Sequence, residues 1–240
     1  MRLSVWSGPR NVSTALMYSF RQRSDTTVID EPLYAHYLRV TGLPHPGAQD
    51  VLQSQDPDGE AVCQHILHGP HPRPVVFFKN MSHHWRNLPT RYLRDMTHVF
   101  LVREPRDMLA SLTQQLPDCD VEATGLPAQI ALYKELASLG LAPVVVQAED
   151  IRREPKRALT ALCDHLGLPF EEAMLSWPKG PKPEDGVWAP HWYDRVHQSN
   201  AFAPLGTPRT LAPRYQHLLE ACLPLHEALL NHRLPIPRNG

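Results

Sequence analysis

The sequence predicts an α/β protein with a parallel sheet of about five strands and helices on both faces. Five short apolar runs, rich in β-branched and aromatic residues, alternate with longer segments of helical periodicity. Strands buried on both faces of a sheet are almost continuously apolar, and parallel neighbours need a crossover connection, which is usually a helix. No internal repeat or clear linker interrupts the 240 residues, so we expect one domain over residues 1–240.

Each element follows from the local pattern, in order along the chain. The predicted strands are the apolar runs at 3–6, 26–30, 74–79, 97–102 and 143–147. The predicted helices are at 13–23, 32–40, 60–68, 126–139, 155–166 and 212–232, with a further helix entered at Pro105 and continuing through Leu112. Two stretches rich in Pro and Gly have neither period: residues 42–59 are predicted as a mobile surface loop and 178–210 as an irregular cover.

The turn between the first strand and the first helix is a candidate anion site. The first backbone N–H groups of a helix lack internal partners and carry partial positive charge, so they attract anions. Ser13 and Thr14 add hydroxyl groups, and the Arg10 guanidinium matches the oxygens of a phosphate or sulfate. The turn is not a Walker A loop, since Val12 stands where that motif has Lys. The alternative is an ordinary Gly-Pro turn followed by a serine cap.

A second candidate anion element follows the fourth predicted strand. Arg103 ends this strand, Pro105 suits the first turn of the next helix, and Ser111 lies two turns into that helix. Arg103 and Ser111 can therefore reach one anion above the edge of the sheet. The alternative is a surface network of Arg and Asp side chains around the start of a helix.

Together these two elements resemble the motifs of sulfotransferases that use 3′-phosphoadenosine 5′-phosphosulfate (PAPS). In that family the 5′-phosphosulfate loop is written P-[KR]-S-G-[ST]-[ST], and the 3′-phosphate element has an Arg, then P-[KR]-D, then a Ser. The matching residues are Pro9, Arg10, Asn11, Val12, Ser13 and Thr14 in the first element, and Arg103, Pro105, Arg106, Asp107 and Ser111 in the second. The resemblance implies a P-loop-like nucleotide-binding fold. Because the family's Gly is Val12 here, we expect a divergent, bacterial-type branch.

The resemblance also implies how the donor is held. Arg10, with Ser13, Thr14 and the loop backbone, would bind the 5′-phosphate and the sulfuryl group of PAPS. Arg103 and Ser111 would bind the 3′-phosphate, which distinguishes PAPS from ATP. The product would be 3′-phosphoadenosine 5′-phosphate (PAP), and no metal is required because fixed cations carry the charge.

The base that takes the acceptor's proton has two candidate positions. Glu31 follows the second strand, where similar bacterial sulfotransferases carry a carboxylate, and we expect it to face the Arg10 loop from the neighbouring strand. Lys79 ends the third predicted strand, and His83 and His84 follow it, where other family members use a His. The sequence favours Glu31 and leaves one of the two histidines as the rival.

The late segment 186–193 resembles the Gly- and Trp-bearing cover over the nucleotide in this family. Trp188 is therefore predicted to stack on adenine, with a hydrophobic lid residue as the alternative. Ser199 and Phe202 are assigned to the same cover. The acceptor is predicted to be a small molecule that offers a hydroxyl or an amine. The aromatic residues that suggest an apolar or ring-bearing acceptor are Tyr34, Tyr37, Trp85, Trp188 and Trp192.

Charge, cysteine content and hydropathy argue against several other classes of protein. The formal net charge of −1 gives no broad surface for nucleic acid. The four cysteines form no C-x-x-C pair and are interpreted as reduced thiols or core residues. No apolar run approaches the ~20 residues of a membrane span, and the chain starts on a strand instead of a signal peptide, so we expect a cytoplasmic protein. The sequence says nothing about the oligomeric state.

Two other functions stay open at this stage. Cys63, His65, His68 and His71 have side chains suited to zinc, although a Gly-Pro pair breaks the helix before His71. A nucleotide-dependent kinase of small molecules is the second, and it lacks its Walker lysine here. A P-loop-type protein that binds a nucleotide without catalysis has the same predicted features.

Overall fold

The computed structural model describes residues 1–207 and 209–236, and the predicted fold class is confirmed. Five parallel strands form one sheet in the order β2-β3-β1-β4-β5. The strands are β1 (Arg2–Ser7), β2 (Thr26–Asp30), β3 (Val75–Met81), β4 (Thr97–Val102) and β5 (Val144–Gln147). All five lie at the predicted positions, with ends that differ by at most two residues.

The helices occupy the intervals between strands and the C-terminal third of the chain. They are α1 (Ser13–Arg21), α2 (Tyr34–Thr41), α3 (Ala48–Ser54), α4 (Gly59–Val62), α5 (Pro105–Leu112), α6 (Leu126–Ser138), α7 (Ala148–Arg153), α8 (Pro155–Leu166), α9 (Ala189–Trp192), α10 (Asp194–His197) and α11 (Gln216–Leu230). A π-helical turn, Cys63–Leu67, extends α4, and short 3₁₀ turns occupy Ser82–His84, Thr90–Leu93, Glu122–Thr124, Glu172–Leu175 and Pro213–Tyr215.

Both faces of the sheet are covered by helices, as the apolar strands require. Side chains alternate between the faces along each strand, so Val5 packs into one core cluster and its neighbour Trp6 into the other. The first cluster includes residues of α1 and α8, and the second includes residues of α5, α6 and α11. The ends of the strands are thereby fixed in position, which matters for the side chains that follow them.

The prediction of a mobile loop over 42–59 is wrong in its central part. Residues 48–54 form α3, which follows Gly47 in the left-handed conformation and has an acidic residue, Asp50, in its first turn. Val51 is fully buried against the aromatic residues of α2 and the cover. One fully buried residue on so short a helix gives no periodic signal in the sequence. The short helices α7, α9 and α10 were likewise not predicted.

The order of the strands corrects one further expectation. Glu31 follows β2 and the Arg10 loop follows β1, but β3 lies between these two strands. Glu31 therefore faces Lys79 on its neighbouring strand, and it is one strand further from the Arg10 loop than expected. Within the described residues, no helix combines the length and apolar character needed to cross a bilayer.

Candidate active site

A cavity of about 720 Å³ lies at the carboxyl ends of the strands, where ligands bind in open α/β sheets. The turn before α1, the residues after β2, β3 and β4, and the cover contribute to its walls. Every predicted site residue lines this cavity: Pro9, Arg10, Asn11, Val12, Ser13, Thr14, Glu31, Lys79, His83, His84, Arg103, Ser111 and Trp188. The sheet topology thus brings both candidate anion elements and both base candidates to one place.

The N-terminus of α1 is open to the cavity. Val12, the residue before the helix, adopts the left-handed conformation with φ 60° and ψ 19°, and no side chain caps the helix start. A β-branched residue costs about 1–2 kcal/mol in this conformation. The turn therefore has the backbone that a Gly would adopt, although the sequence carries Val. The N–H groups of Ser13, Thr14 and Ala15 have no intrahelical partner and belong to residues that line the cavity.

Two residues hold this turn in place. A Cβ atom on Gly8 would lie 2.3 Å from the carbonyl oxygen of Thr124, so only Gly fits there. Asn11 is 3% exposed, and its Nδ2 donates to the carbonyl of Leu101 at 3.2 Å. The side-chain nitrogen of Asn11 ties the turn to β4 with one of its two N–H donors.

Arg10 connects the two candidate anion elements. Its Nε donates to Ser111 Oγ at 3.1 Å, and its backbone carbonyl accepts a hydrogen bond from Arg103 Nη1 at 2.8 Å. Its Nη1 donates to the carbonyl of Trp192 at 3.3 Å. The Arg10 side chain therefore lies beside the residues predicted for the 3′-phosphate, whereas the sequence assigned it to the 5′-phosphosulfate group.

Arginine side chains gather around this contact, in what we call the cationic end of the cavity: Arg10, Arg103, Arg152, Arg195 and Arg209. Burial, followed by repulsion from the other arginines, lowers the pKa of both Arg10 and Arg103. Arg103 has only distant carboxylate partners, Asp107 at 3.7 Å and Glu149 at 3.9 Å. In the described part of the chain, no carboxylate lies within 4.0 Å of the other four guanidinium groups. A bound anion would relieve this repulsion.

Lys79 lies at the centre of a buried polar network between the strand ends and the cover. Its Nζ donates to Asp30 Oδ1 at 2.9 Å, to Tyr193 Oη at 2.8 Å, and to Glu31 Oε1. The Tyr193 hydroxyl in turn donates to Asp30 Oδ2 at 2.7 Å. Burial alone would lower the pKa of Lys79, but the two carboxylates raise it well above its usual value. Lys79 is 2% exposed and is a fixed cation.

Glu31 keeps one carboxylate oxygen free of hydrogen bonds to described residues. Oε1 accepts from Lys79, while Oε2 has only His84 Nδ1 nearby, at 3.9 Å. The backbone of Glu31 is strained, with φ 40°, and its N–H donates to the Lys79 carbonyl at 2.8 Å. Burial and the neighbouring Asp30 raise the pKa of Glu31, and Lys79 opposes them. A carboxylate whose pKa moves toward neutrality is a stronger base.

The pKa values of the two histidines, His83 and His84, shift away from neutrality, unlike that of Glu31. His84 is 2% exposed, and its ring stacks on Tyr34 and on Tyr37, each with ring centroids 4.7 Å apart. Burial, followed by the neighbouring histidines, lowers its pKa well below the usual value, and burial lowers the pKa of the partly buried His83 to about 3. Both rings are neutral at neutral pH and are weak bases. Their Nδ1 atoms are buried without a partner among the described residues.

A loss of stability in mild acid is expected from the buried His84. Its pKa is depressed in the folded protein, so its contribution is present above the unfolded pKa of about 6.5 and is lost as pH falls below it. Each pH unit below that value should cost about 1.4 kcal/mol from this residue. Urea unfolding at about pH 7, 6 and 5 measures the slope, which His84→Gln should reduce. The exposed His165 is the matched control, and an unchanged slope in His84→Gln would refute the assignment.

The predicted stacking of Trp188 on adenine does not fit the structure. Trp188 is 2% exposed, and its Nε1 donates to the Tyr193 hydroxyl at 3.1 Å. Its ring lies against Gly186 and meets Tyr34 edge to face at 5.2 Å. The ring is a packing element of the cover, which was the stated alternative.

The other aromatic residues form a second end of the cavity, which we call the aromatic end. It consists of Tyr34, Tyr37, His45, His83 and His84, whose rings contact one another. Trp192, Ser199 and Phe202 also line the cavity. Trp85 does not, because it packs against Trp6 at 5.9 Å. The suggestion that Trp85 shapes an acceptor pocket is therefore wrong.

The alternative zinc site is not assembled. Among the described residues, no group of three or more His, Cys, Asp or Glu side chains could hold a metal ion. His68 Nε2 pairs with the carbonyl of Tyr92 and His71 Nε2 with that of Ile66, both at 2.8 Å. Cys63 is buried in a hydrophobic cluster with Leu67 and Phe78.

Sequence reasoning missed several residues that the cover brings to the site. Tyr193 joins the Lys79 network, and Arg195 and Arg209 join the cationic end. Arg152 reaches the same end from α7. The only available signal was the abundance of Tyr, Trp and Arg in an irregular segment, which gives no spacing that would place these side chains.

Comparison with known protein families identifies one family for this chain. The family profile described as "Sulfotransferase domain" matches residues 1–233. Two curated relatives from Arabidopsis thaliana are similar over nearly the whole chain. "Branched-chain-amino-acid aminotransferase-like protein 2" is 39% identical over 255 residues and 99% of this chain, and "protein 1" of the same name is 40% identical over 252 residues and 98%. The chain spans 45% of each relative, so their name describes proteins more than twice as long as the matched region.

Solved structures support the fold. The sulfotransferase domain of the Synechococcus PCC 7002 olefin synthase has a TM-score of 0.55 and 17% identity, covering 91% of this chain and 93% of that domain. A sulfotransferase from Alicyclobacillus acidocaldarius has a TM-score of 0.54 and 16% identity, covering 97% and 96%. The sulfotransferase domain of the curacin biosynthetic pathway has a TM-score of 0.52 and 15% identity, covering 97% and 98%.

Proposed function

This chain belongs to the sulfotransferase family, and we propose that it transfers the sulfuryl group of PAPS to a hydroxyl or amine of a small molecule. The observation that carries the proposal is the cationic end of the cavity. There the uncapped start of α1 and a group of guanidinium groups converge with little compensating charge. PAPS carries a phosphosulfate and a second phosphate, and this arrangement suits a ligand with several negative charges.

The donor would lie across the two anion elements. The N–H groups of Ser13 and Thr14 suit the 5′-phosphosulfate group, and Arg103, Ser111 and Arg10 suit the 3′-phosphate. The transfer then needs donors and cations around the sulfuryl oxygens and the bridging oxygen, because charge moves to the leaving phosphate. Fixed guanidinium groups can supply this stabilisation, so the proposed scheme has no metal-dependent step.

The reaction balances without a further reagent. The acceptor oxygen forms a bond to sulfur while the bond from sulfur to the phosphate oxygen breaks, and PAP leaves with the electron pair of that bond. The hydroxyl proton of the acceptor passes to Glu31 Oε2, the oxygen that Lys79 leaves free. We assign the acceptor to the aromatic end, whose buried, neutral rings suit an uncharged or ring-bearing small molecule.

Selective binding of PAP over AMP is the direct test of the donor. Saturating PAP, at about 100 times its Kd, should stabilise the protein by about 2.7 kcal/mol and raise Tm by about 5–10 °C. AMP lacks the 3′-phosphate and should have a much smaller effect. Arg103→Ala removes a charge-assisted contact and should weaken PAP binding by about 10–150-fold, which lowers PAP to the level of AMP. Thermal shift and calorimetry measure both quantities.

The matched control is Arg106→Ala. Arg106 lies three residues along the same motif but is exposed and outside the cavity, so its loss should leave the preference intact. Equal stabilisation by PAP and AMP in the unmodified protein would contradict the proposal. Stabilisation by ATP with Mg²⁺ in preference to PAP would instead indicate the kinase or nucleotide-binding alternative.

A further inference from the structure

The cover reaches the proposed base through one side chain, Tyr193. The Tyr193 hydroxyl accepts from Lys79 Nζ at 2.8 Å and from Trp188 Nε1 at 3.1 Å, and it donates to Asp30 Oδ2 at 2.7 Å. The backbone N–H of Gly186, also in the cover, donates to the same Asp30 oxygen at 3.3 Å. Tyr193 is 4% exposed, so this junction is shielded from water.

This junction determines how one cation is shared between two carboxylates. Lys79 donates to Asp30 and to Glu31, and the three side chains are all buried. Asp30 has further donors from the cover, whereas Glu31 Oε1 has Lys79 as its hydrogen-bond donor among the described residues. If Tyr193 no longer supplied a proton to Asp30, Asp30 would compete more strongly for Lys79. Glu31 would then lose part of its interaction with Lys79, the fixed cation that contacts it within the described residues.

The same stretch of the cover is also held at the cationic end. Trp192 precedes Tyr193, and its carbonyl accepts from Arg10 Nη1 at 3.3 Å. Arg195, two residues after Tyr193, lines the cavity. One short segment therefore contacts the proposed donor site and the proposed base. A merely protective lid would not need both contacts.

We infer that Tyr193 is a positioning residue for Glu31: through Asp30 and Lys79 it keeps the carboxylate ionised and keeps Oε2 directed at the acceptor. The inference rests on the proposed function, because it treats Glu31 as the base of the transfer. It goes beyond that function in giving the cover a part in the chemistry.

Because of this network, two variants should shift the pKa of Glu31 in opposite directions. In Tyr193→Phe the loss of the hydroxyl removes a group that lowers the pKa of Glu31 and draws Lys79 toward Asp30, so the pKa of Glu31 should rise. In Asp30→Asn the competing negative charge is gone and Lys79 serves Glu31 alone, so the pKa of Glu31 should fall. Each change should be about one pH unit, the ordinary effect of a nearby charge or hydrogen bond. The titratable or charged groups that face Glu31 are Lys79, Asp30, Tyr193, His84 and Tyr34.

Carboxyl NMR measures the pKa of Glu31 in each variant without knowledge of the acceptor. The protein is labelled with ¹³C at the glutamate side-chain carboxyl, the Glu31 signal is assigned by its absence in Glu31→Gln, and its pH titration is recorded in each variant. Tyr37→Phe is the matched control, because Tyr37 is a buried tyrosine of the same cavity with no hydrogen bond to Asp30 or Lys79. We expect a higher midpoint in Tyr193→Phe, a lower one in Asp30→Asn and no change in Tyr37→Phe.

The outcomes separate this inference from the proposed function. An unchanged Glu31 midpoint in folded Tyr193→Phe, or shifts of the same sign in Tyr193→Phe and Asp30→Asn, would overturn the inference. Stabilisation by PAP is recorded for every variant, and its absence in the unmodified protein would overturn the proposed function instead. If Tyr193→Phe does not fold, the Asp30→Asn titration still decides, since a midpoint that does not fall refutes the sharing of Lys79.

Discussion

Replacing Lys79 with Met should destabilise the protein by about 3–5 kcal/mol at neutral pH, the cost of removing one partner from a buried charge network. Lys79 is 2% exposed and donates to both Asp30 and Glu31, whose side chains are also buried. Methionine fits the space and keeps the apolar stem. It leaves the carboxylates of the consecutive residues Asp30 and Glu31 without a cation. Such groups either remain charged at high cost or take up protons.

The direction of the pH dependence provides a second check on Lys79→Met. Without the cation, the folded-state pKa of Glu31, which burial raises and Lys79 lowers, should rise further above the unfolded value. Its unfavourable contribution is then absent in acid and grows as pH rises through about 4 toward neutrality. The stability difference between variant and unmodified protein, from urea unfolding, should therefore be smallest near pH 4.

The control for this prediction is another lysine with a carboxylate partner. Lys156 pairs with Glu172, and both side chains are 65% exposed. Lys156→Met should change the free energy of unfolding by at most about 1 kcal/mol, as exposed ion pairs do. A loss in Lys79→Met no larger than this would mean that the network contributes little to stability.

The fold was readable from the sequence because parallel strands give an unambiguous signal. The run at 97–102 is buried at every position after the first, and the run at 26–30 alternates buried and half-buried residues. Both strands have the predicted bounds. The position of α3 was not readable, since Val51, its one buried residue, packs against aromatic side chains that are distant in the sequence. The order of the strands also depends on long-range pairing, which no local pattern contains.

The site was predictable where the chain itself determines the geometry. Arg10, Glu31 and Arg103 follow strands, and Lys79 lies near the end of β3. Topology alone brings all four to the same edge of the sheet. Residues from the cover, such as Tyr193, reach the site through an irregular path whose contacts are tertiary. For that reason the sequence predicts a role for Trp188, whose ring packs within the cover, and none for Tyr193, whose hydroxyl contacts Lys79.

Glu31→Gln should lower the rate of sulfuryl transfer by about 10²–10⁴-fold while PAP still binds normally, since this is the usual effect of losing a positioned base. The amide keeps the shape of the side chain, and its oxygen can accept from Lys79 as Oε1 does. Asp30 continues to pair with Lys79, so the fold should survive. The acceptor for the assay comes from an unbiased screen with labelled PAPS, and single-turnover rates separate chemistry from product release.

The histidines are the internal comparison for this assignment. A base works best when its pKa lies near the operating pH, and burial moves Glu31 toward that range while it moves His83 and His84 away from it. His83→Ala and His84→Ala should therefore affect binding of the acceptor more than the rate of transfer. If Glu31→Gln retains near-normal turnover while His84→Ala abolishes it, then a neutral imidazole takes the proton. In that case Glu31 Oε2, 3.9 Å from His84 Nδ1, would only orient that ring.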